Sequence, residues 1–468
     1  MLKGAGSALQ MKTRAARAAG CALFLLLAAS SCRAADARPN VILISLNALR
    51  ADHLGTYGYA RETAPNIALL ARGSAVFDRA VSQSHWTLSS LASLFTSKYV
   101  RSHGLYDRGG RLSKKETTLA EALKAGGYKT AAFTGGLDTS GFYGLNQGFE
   151  LYDDETGSRP MGSFREIMPK ALNWLAAHRG DRFFLFLDSY DIHPPFDKPW
   201  PAGVASSYAG LLKGKTLDYG LFRDYKDGEL PVGGGKVRLG REDLDYVNAR
   251  YDNGITYADG FLGALFKKLR ALGLADGTVI ILTAEHGEEL GEHGSFDRFG
   301  SGDLHDEAVR VPLIVKLPGK DLKGARVRAQ VQLIDIMPTI LDLAGLRPGP
   351  GAQGKSLRPL LEAPAAELDR YVYSEAGPRK CAVGTGKWKL IYDKGDYSLF
   401  DLAADKAEAV NAAAKNPDVV YELAQKLAAW RRETGPAGGR GAQRVALTEE
   451  MKRKLKEAGY WTSDGPRP

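Results

Sequence analysis

Hydrophobic residues in this chain follow two rhythms. Mostly apolar runs, each closed by polar loop residues, occur at 41–46, 130–134, 183–187, 278–283 and 312–317. They have the length and texture of strands buried on both faces of a sheet. Between them apolar residues recur at helical spacing: Leu119, Ala122 and Leu123 within 117–125; Leu262, Leu265, Phe266 and Leu269 within 262–272; Leu333, Ile336, Met337, Ile340 and Leu341 within 332–344. Strands alternating with one-stripe helices predict an α/β fold, a mixed and mostly parallel central sheet flanked by helices. Functional loops then gather at the carboxyl ends of the strands.

Two stretches break the rhythm. Residues 201–245 are rich in Gly and charge, Gly233-Gly234-Gly235 among them, and read as a long irregular insertion of the kind that serves as a lid or a substrate-selecting wall. After Gly345 the segment Arg347-Pro348-Gly349-Pro350-Gly351 reads as a linker. Beyond it, 370–374, 387–392 and 397–400 alternate as short strands and 416–431 as an amphipathic helix, which predicts a small antiparallel sheet with one packing helix. Residues 434–444 are Gly-rich; 447–455 are a last short helix capped by Thr448, with Tyr460-Trp461 as an anchor. The expected organisation is a leader at 1–32, a main domain at 39–345, a smaller α+β subdomain at 346–433 and a basic tail at 434–468.

Composition sharpens the two ends. Lys3, Lys12, Arg14 and Arg17 precede an apolar run at 18–29 that is too short to span a bilayer, the pattern of a secretory signal, with Met11 as an alternative start. Ala28-Ala29-Ser30-Ser31-Cys32 resembles a lipobox, so the choice lies between a lipid anchor at Cys32 and ordinary cleavage near Ala34 or Ala35. Either way the expected location is the periplasm or cell envelope. The other cysteines are Cys21, in the leader, and Cys381, so neither an internal disulfide nor a Cys-based zinc site is expected. The net charge of +9 resides at the ends: four positives in the leader, leaving +5 (9 − 4), and nine Lys/Arg against five Asp/Glu in 431–468, a further +4. A near-neutral body of this kind argues against nucleic-acid binding.

The chemistry-bearing segments fall in a fixed order. They are Pro39 through His53 with Asn47-Ala48 after the first strand; Tyr57-Gly58-Tyr59 and Thr63-Ala64-Pro65-Asn66; Trp86-Thr87-Leu88-Ser89-Ser90-Leu91; Asp188-Ser189-Tyr190-Asp191-Ile192-His193-Pro194; Glu285-His286-Gly287; Asp306-Glu307; and Gly354-Lys355-Ser356. This order resembles the sulfatase family, part of the alkaline-phosphatase-like superfamily, from about Pro39 to the C-terminus. The resemblance implies that fold and a divalent cation, Ca, Mn or Zn, held at Asn47, Glu285 and His286. It also implies a nucleophile at Thr87, and His193, Asp191, His85 and Ser301 on the substrate side. A hard cation neutralises the non-bridging oxygens of a sulfate or phosphate ester, and a nucleophile at a helix N-terminus sits where an anion is favoured.

Several positions depart from the family pattern. Asn47 stands for a metal-binding Asp, Ala48 for a second, Glu285 for an Asp one methylene shorter, and Leu91 for a cationic residue near the nucleophile. Asp188 stands where many relatives carry a His, and Gly300 and Gly302 flank Ser301 where they carry a His or Lys. Thr87 is unsuited to conversion to formylglycine, so no formylglycine is expected; it is either a metal-activated nucleophile or an N-cap. One formal negative charge in the ligand set predicts weak metal binding or none. Two functions stay open: an exported hydrolase of sulfate or phosphate esters acting on an anionic, glycan-linked or lipid-linked substrate, and an inactive relative that binds a glycan, a lipid head group or a protein.

Overall fold

The computed structural model describes residues 38–462 and 465–466, apart from 158, 201–206, 218, 223–224, 226–227, 233–234, 297–303, 367, 369 and 436–441. The leader with Cys32, and Ser301, lie outside the described residues. Residues 40–468 form one compact unit.

The strands of the main sheet are β1 (Asn40–Leu46), β2 (Ala75–Val81), β4 (Lys129–Phe133), β5 (Leu151–Asp153), β6 (Phe183–Ser189), β9 (Thr278–Thr283), β10 (Arg310–Lys316), β11 (Ala325–Val327) and β12 (Val331–Gln332). The short pairs β3 (Gly110–Arg111), β7 (Glu229–Val232) and β8 (Gly235–Arg238) stand apart from it. The order across the sheet is β11-β2-β10-β9-β1-β6-β4-β5, with β12 also on β2. Only β10 runs antiparallel to its neighbours, β2 and β9, so the sheet is mixed and mostly parallel as the apolar runs predict. At its centre β1, β6 and β9 are buried on both faces. The register aligns Ser45 with Asp188 on one side and with Thr283 on the other. Two polar side chains, Ser45 and Asp188, therefore sit side by side at the carboxyl ends of apolar strands.

The principal helices are α1 (Pro65–Arg72), α2 (Thr87–Thr96), α3 (Leu119–Ala125), α4 (Phe164–Ala177), α5 (Arg241–Ala271), α6 (Ile336–Leu343), α7 (Pro417–Glu433) and α8 (Glu449–Glu457). Their ends are set by identifiable donors and acceptors. α3 starts with a capping box between Thr118 and Glu121. α1 has no cap of its own, and the Asp259 carboxylate of α5 accepts from the backbone N–H of Asn66 and of Ile67 instead. The expected helix at 262–272 is only the last third of α5, which begins at Arg241. Its earlier turns bury Arg250, Asp252 and Asn253, and these polar residues conceal the helical period.

The C-terminal sheet is an antiparallel meander of β13 (Val372–Ala376), β14 (Lys380–Gly384), β15 (Trp388–Asp393) and β16 (Asp396–Asp401). β14 is absent from the sequence reading because Lys-Cys-Ala-Val-Gly carries little β-branched or alternating signal. α7 covers this sheet with Leu423, Leu427 and Trp430. The sheet is fastened to the main one beside α2: the Glu375 N–H donates to the Gln83 carbonyl, and the buried Glu375 carboxylate pairs with Arg101 at 2.7 Å. The last described segment returns to the main unit. β17 (Gln443–Arg444) pairs with β3, and α8, with Thr448 as its cap, buries Met451 and Leu455 in the main core.

Candidate active site

The central strands bring Asn47, Glu285 and His286 to one end of the sheet, and α2 brings Thr87 to the same place. After β1 the chain turns through Ala48, whose φ of 67° is left-handed. Tyr251 of α5 pins this turn: its hydroxyl donates to the Ala48 carbonyl at 2.6 Å and accepts from the Arg50 N–H at 2.8 Å. Trp86, not Thr87, occupies the N-cap of α2, and it makes no side-chain cap bond. Thr87 is the first helical residue. The N-cap reading of Thr87 is therefore corrected, and its hydroxyl is left for the site.

That hydroxyl lies 2.9 Å from His286 Nε2 and 3.3 Å from Asn47 Nδ2. His286 Nδ1 is 2.6 Å from the Gly287 carbonyl. A carbonyl only accepts, so Nδ1 carries the proton and Nε2 is the acceptor for Thr87. Burial holds the His286 imidazole down to about 4, so it is neutral at pH 7. Gly287 is needed beside it, since an added Cβ would lie 1.9 Å from the Glu307 carbonyl oxygen. Glu285 uses its extra methylene to reach Ser45, whose hydroxyl donates to Oε2 at 2.5 Å. Its backbone carbonyl accepts from Ser82 and Ser90.

The remaining oxygens matter most. Asn47 Oδ1, Glu285 Oε1 and both oxygens of Asp188 are buried without a hydrogen-bond partner. Burial pushes the Glu285 carboxyl up to about 7, and burial together with the Glu285 charge pushes Asp188 well above the usual carboxylate range. Orphaned acceptors of this kind mark a place for a cation or a proton. Asp188 thus shares the carboxyl ends of the central strands with Ser45, beside the Glu285 carboxyl.

Among the described residues no three His, Cys, Asp or Glu side chains converge as a ready metal cage. The set is mixed, with an amide and a hydroxyl beside Glu285 and His286, and its spacing still suits a divalent ion. Ligands held at about 2.1 Å from one ion lie roughly 3.0–3.4 Å from each other. Thr87 to His286 is 2.9 Å, Thr87 to Asn47 is 3.3 Å, and His286 Nε2 to Glu285 Oε1 is a looser 3.8 Å. Asn47 presents its nitrogen to Thr87, and an amide flip would present the oxygen.

The other expected site residues divide. His193 is buried, with Nδ1 3.0 Å from the Pro194 carbonyl and Nε2 3.1 Å from the Tyr460 hydroxyl. Burial lowers it to about 3. The Asp191 carboxylate accepts from the Phe164 N–H at the start of α4 and lies 3.4 Å from Lys198 Nζ. His85 is half-buried in the turn before α2. His293 and His305, outside this cluster, stack on each other at 3.8 Å.

Residues that the sequence reading missed complete the wall. Arg108 is fully buried and forks onto Asp138, which also accepts from the Trp86 indole N–H. Asp188 and Ser45 had a visible signal, polar residues at the ends of apolar strands. Arg108 and Tyr460 had none at the level of local pattern.

Comparison with known proteins agrees with this fold. The sulfatase family model matches residues 39–346, and a model described as N-sulphoglucosamine sulphohydrolase, C-terminal, matches 291–433. An arylsulfatase of Clostridium perfringens is 25% identical over 445 residues, covering 80% of this chain and 90% of that protein. A multifunctional alkaline phosphatase superfamily protein of Trinickia caryophylli is 26% identical over 494 residues, covering 84% and 95%. Among solved structures, the phosphonate monoester hydrolase of Agrobacterium radiobacter superposes with a TM-score of 0.71 at 22% identity, covering 92% of this chain and all of that one, a likeness of fold.

Proposed function

This chain belongs to the sulfatase family, and from that premise we propose that it hydrolyses sulfate or phosphate esters with Thr87 as nucleophile and Asn47, Glu285 and His286 as holders of a divalent cation. The observation that carries this reading is the Thr87 hydroxyl, at the N-terminus of a ten-residue helix and 2.9 Å from His286 Nε2, facing orphaned buried oxygens. The cation, when bound, supplies charge neutralisation of the ester's non-bridging oxygens and acidifies the Thr87 hydroxyl.

The chain's own groups supply the rest. Thr87 Oγ1 bonds to sulfur or phosphorus as the bond from that atom to the alcohol oxygen breaks, and the Thr87 proton leaves with the alcohol. Water then attacks the Thr87 ester, releasing inorganic sulfate or phosphate and restoring the hydroxyl. The α2 N-terminus favours the negative charge that builds at this point. His286 has one ring nitrogen to offer, because Nδ1 is engaged with Gly287. Nε2 serves either the cation or the Thr87 proton at any moment. The substrate is an anionic ester, glycan-linked or lipid-linked, met outside the cytoplasm if the leader directs export.

A second reading is an inactive binding protein, favoured by Ala48, which places a methyl where relatives carry a carboxylate. Steady-state assay of p-nitrophenyl sulfate, p-nitrophenyl phosphate and a phenyl phosphonate ester, with Mn, Zn or Ca added, separates the two. Turnover that EDTA removes and Thr87→Ala abolishes supports the hydrolase. Absence of turnover with all three esters and all three ions supports the binding protein.

A further inference from the structure

His193 is held from the far end of the chain. The Tyr460 hydroxyl lies 3.1 Å from His193 Nε2, across 267 residues of sequence. The His193 Nδ1 proton points to the Pro194 carbonyl, so Nε2 is the acceptor and Tyr460 donates. Both ring nitrogens are thus engaged inside the protein, and Tyr460 itself is 1% exposed.

Three features deliver the tyrosine. β17 lies along β3, with the Val445 N–H on the Gly109 carbonyl. α8 then packs against the turn Leu137–Thr139, which carries Asp138. Finally α8 ends in a Schellman turn. The Tyr460 N–H donates to the Leu455 carbonyl, the Gly459 N–H donates to the Lys456 carbonyl, and Gly459 takes a φ of 82°. The Arg108 guanidinium, fixed by Asp138, lies 4.5 Å from the Tyr460 ring centre. The ring is therefore placed by contacts that do not involve its hydroxyl.

We propose that Tyr460 gates the site: its hydroxyl occupies His193 Nε2 in the resting protein and gives up that nitrogen, which takes a proton from solvent and donates it in a hydrogen bond to an oxygen of the incoming anionic ester. Residues 443–461 are then a wall of the pocket. This rests on the reading that the pocket takes such an ester. The Nδ1 bond goes to the carbonyl of the next residue, whereas the Nε2 bond comes from a separate element and can be exchanged.

The test uses the full chain and Tyr460→Phe, which keeps the ring on Arg108. Long-range proton–nitrogen spectra report the histidine side chains, with His193 assigned through His193→Gln. The Nε2 signal is expected to move in Tyr460→Phe and to move in wild type when inorganic phosphate or sulfate is added. Calorimetry is expected to show these oxyanions binding about three- to tenfold more tightly to Tyr460→Phe, since one internal hydrogen bond no longer has to break. Leu455→Ala, which loosens the seat of α8, is expected to shift affinity in the same direction. An unmoved Nε2 signal, or unchanged or weaker affinity in Tyr460→Phe, overturns the gate while the ester reading stands. If neither protein binds either oxyanion or cleaves any ester, the ester reading fails and the gate falls with it, even where the Nε2 signal still responds to the lost hydroxyl.

Discussion

Glu285→Gln, in protein stripped of divalent ions, measures the electrostatic burden of the site. Burial holds the Glu285 carboxyl at about 7 in the folded chain against 4.5 ordinarily. Between those values the folded state keeps a proton that the unfolded state gives up. Stability is therefore full below about pH 4.5 and falls as pH climbs through 7. A displacement of about 2.5 units corresponds to on the order of 3 kcal/mol. At ~2.1 cal/mol/K of unfolding entropy per residue, 429 residues from 40 to 468 give about 0.9 kcal/mol/K, so the melting temperature drops by roughly 3–4 °C. Glutamine keeps the shape and an acceptor for Ser45 but cannot ionise. The variant is expected to match wild type at pH 4.5 and to melt roughly 3–4 °C higher at pH 8. Manganese or zinc is expected to raise the wild type at pH 8 and to leave the variant nearly unmoved. Scanning calorimetry after EDTA treatment, across pH 4.5 to 8, gives both comparisons. A wild type flat over that range, or a variant less stable at pH 8, would refute the reasoning: Glu285 would then be paid for by contacts other than a cation or a proton.

Thr87→Ala is expected to lower kcat by about 10³-fold or more on any ester the wild type cleaves, with Thr87→Ser retaining part of it; intact-mass analysis of quenched turnover should show a sulfated or phosphorylated chain only where the hydroxyl remains. Arg101→Met strands the buried Glu375 charge that fastens the C-terminal sheet, and should cost about 3–5 kcal/mol in urea unfolding, much of it recovered by adding Glu375→Gln. Gly287→Ala drives a methyl into the Glu307 carbonyl and should cost about 3 kcal/mol by the same assay, with lost metal response from a displaced His286.

The parts of the fold that burial alone dictates were readable from sequence. β1, β6 and β9 are predominantly apolar and buried on both faces. Along α5 a plain apolar stripe survives only in the last third. Its earlier turns carry Arg250, Asp252 and Asn253 inward, serving neighbouring loops: Arg250 donates to the Phe196 carbonyl, and Asp252 pairs with His53. The ligand-capable residues Asn47, Thr87, Glu285 and His286 were found through their order, and they do converge. What sequence order could not supply was distance. Asp191 sits two residues before His193, and its carboxylate accepts from the Phe164 N–H at a helix start. Arg108 and Tyr460, remote in sequence, pack on each other, and Tyr460 reaches His193.

The pattern of change at the site bears on whether it works. A pocket released from chemistry is expected to lose polar groups, and Ala48 and Leu91 fit that description. Asp188 does not. It places a carboxylate at 0% exposure, with both oxygens unpartnered, next to a second buried carboxylate. Burying such a group without a counter-charge costs several kcal/mol, and an apolar residue would relieve it. Ser45 likewise interrupts an otherwise apolar strand and is spent on Glu285. A carboxyl group is absent at Ala48 but present one strand away, at Asp188 on β6, beside Glu285. Redistribution of this kind favours a site that still holds a cation over one that has only decayed. Asp188→Asn tests it directly: cation affinity, read by calorimetry with manganese, is expected to fall at least tenfold while the ion-free protein becomes more stable at pH 8. Unchanged affinity would return Asp188 to the status of a buried acid with no ligand to explain it.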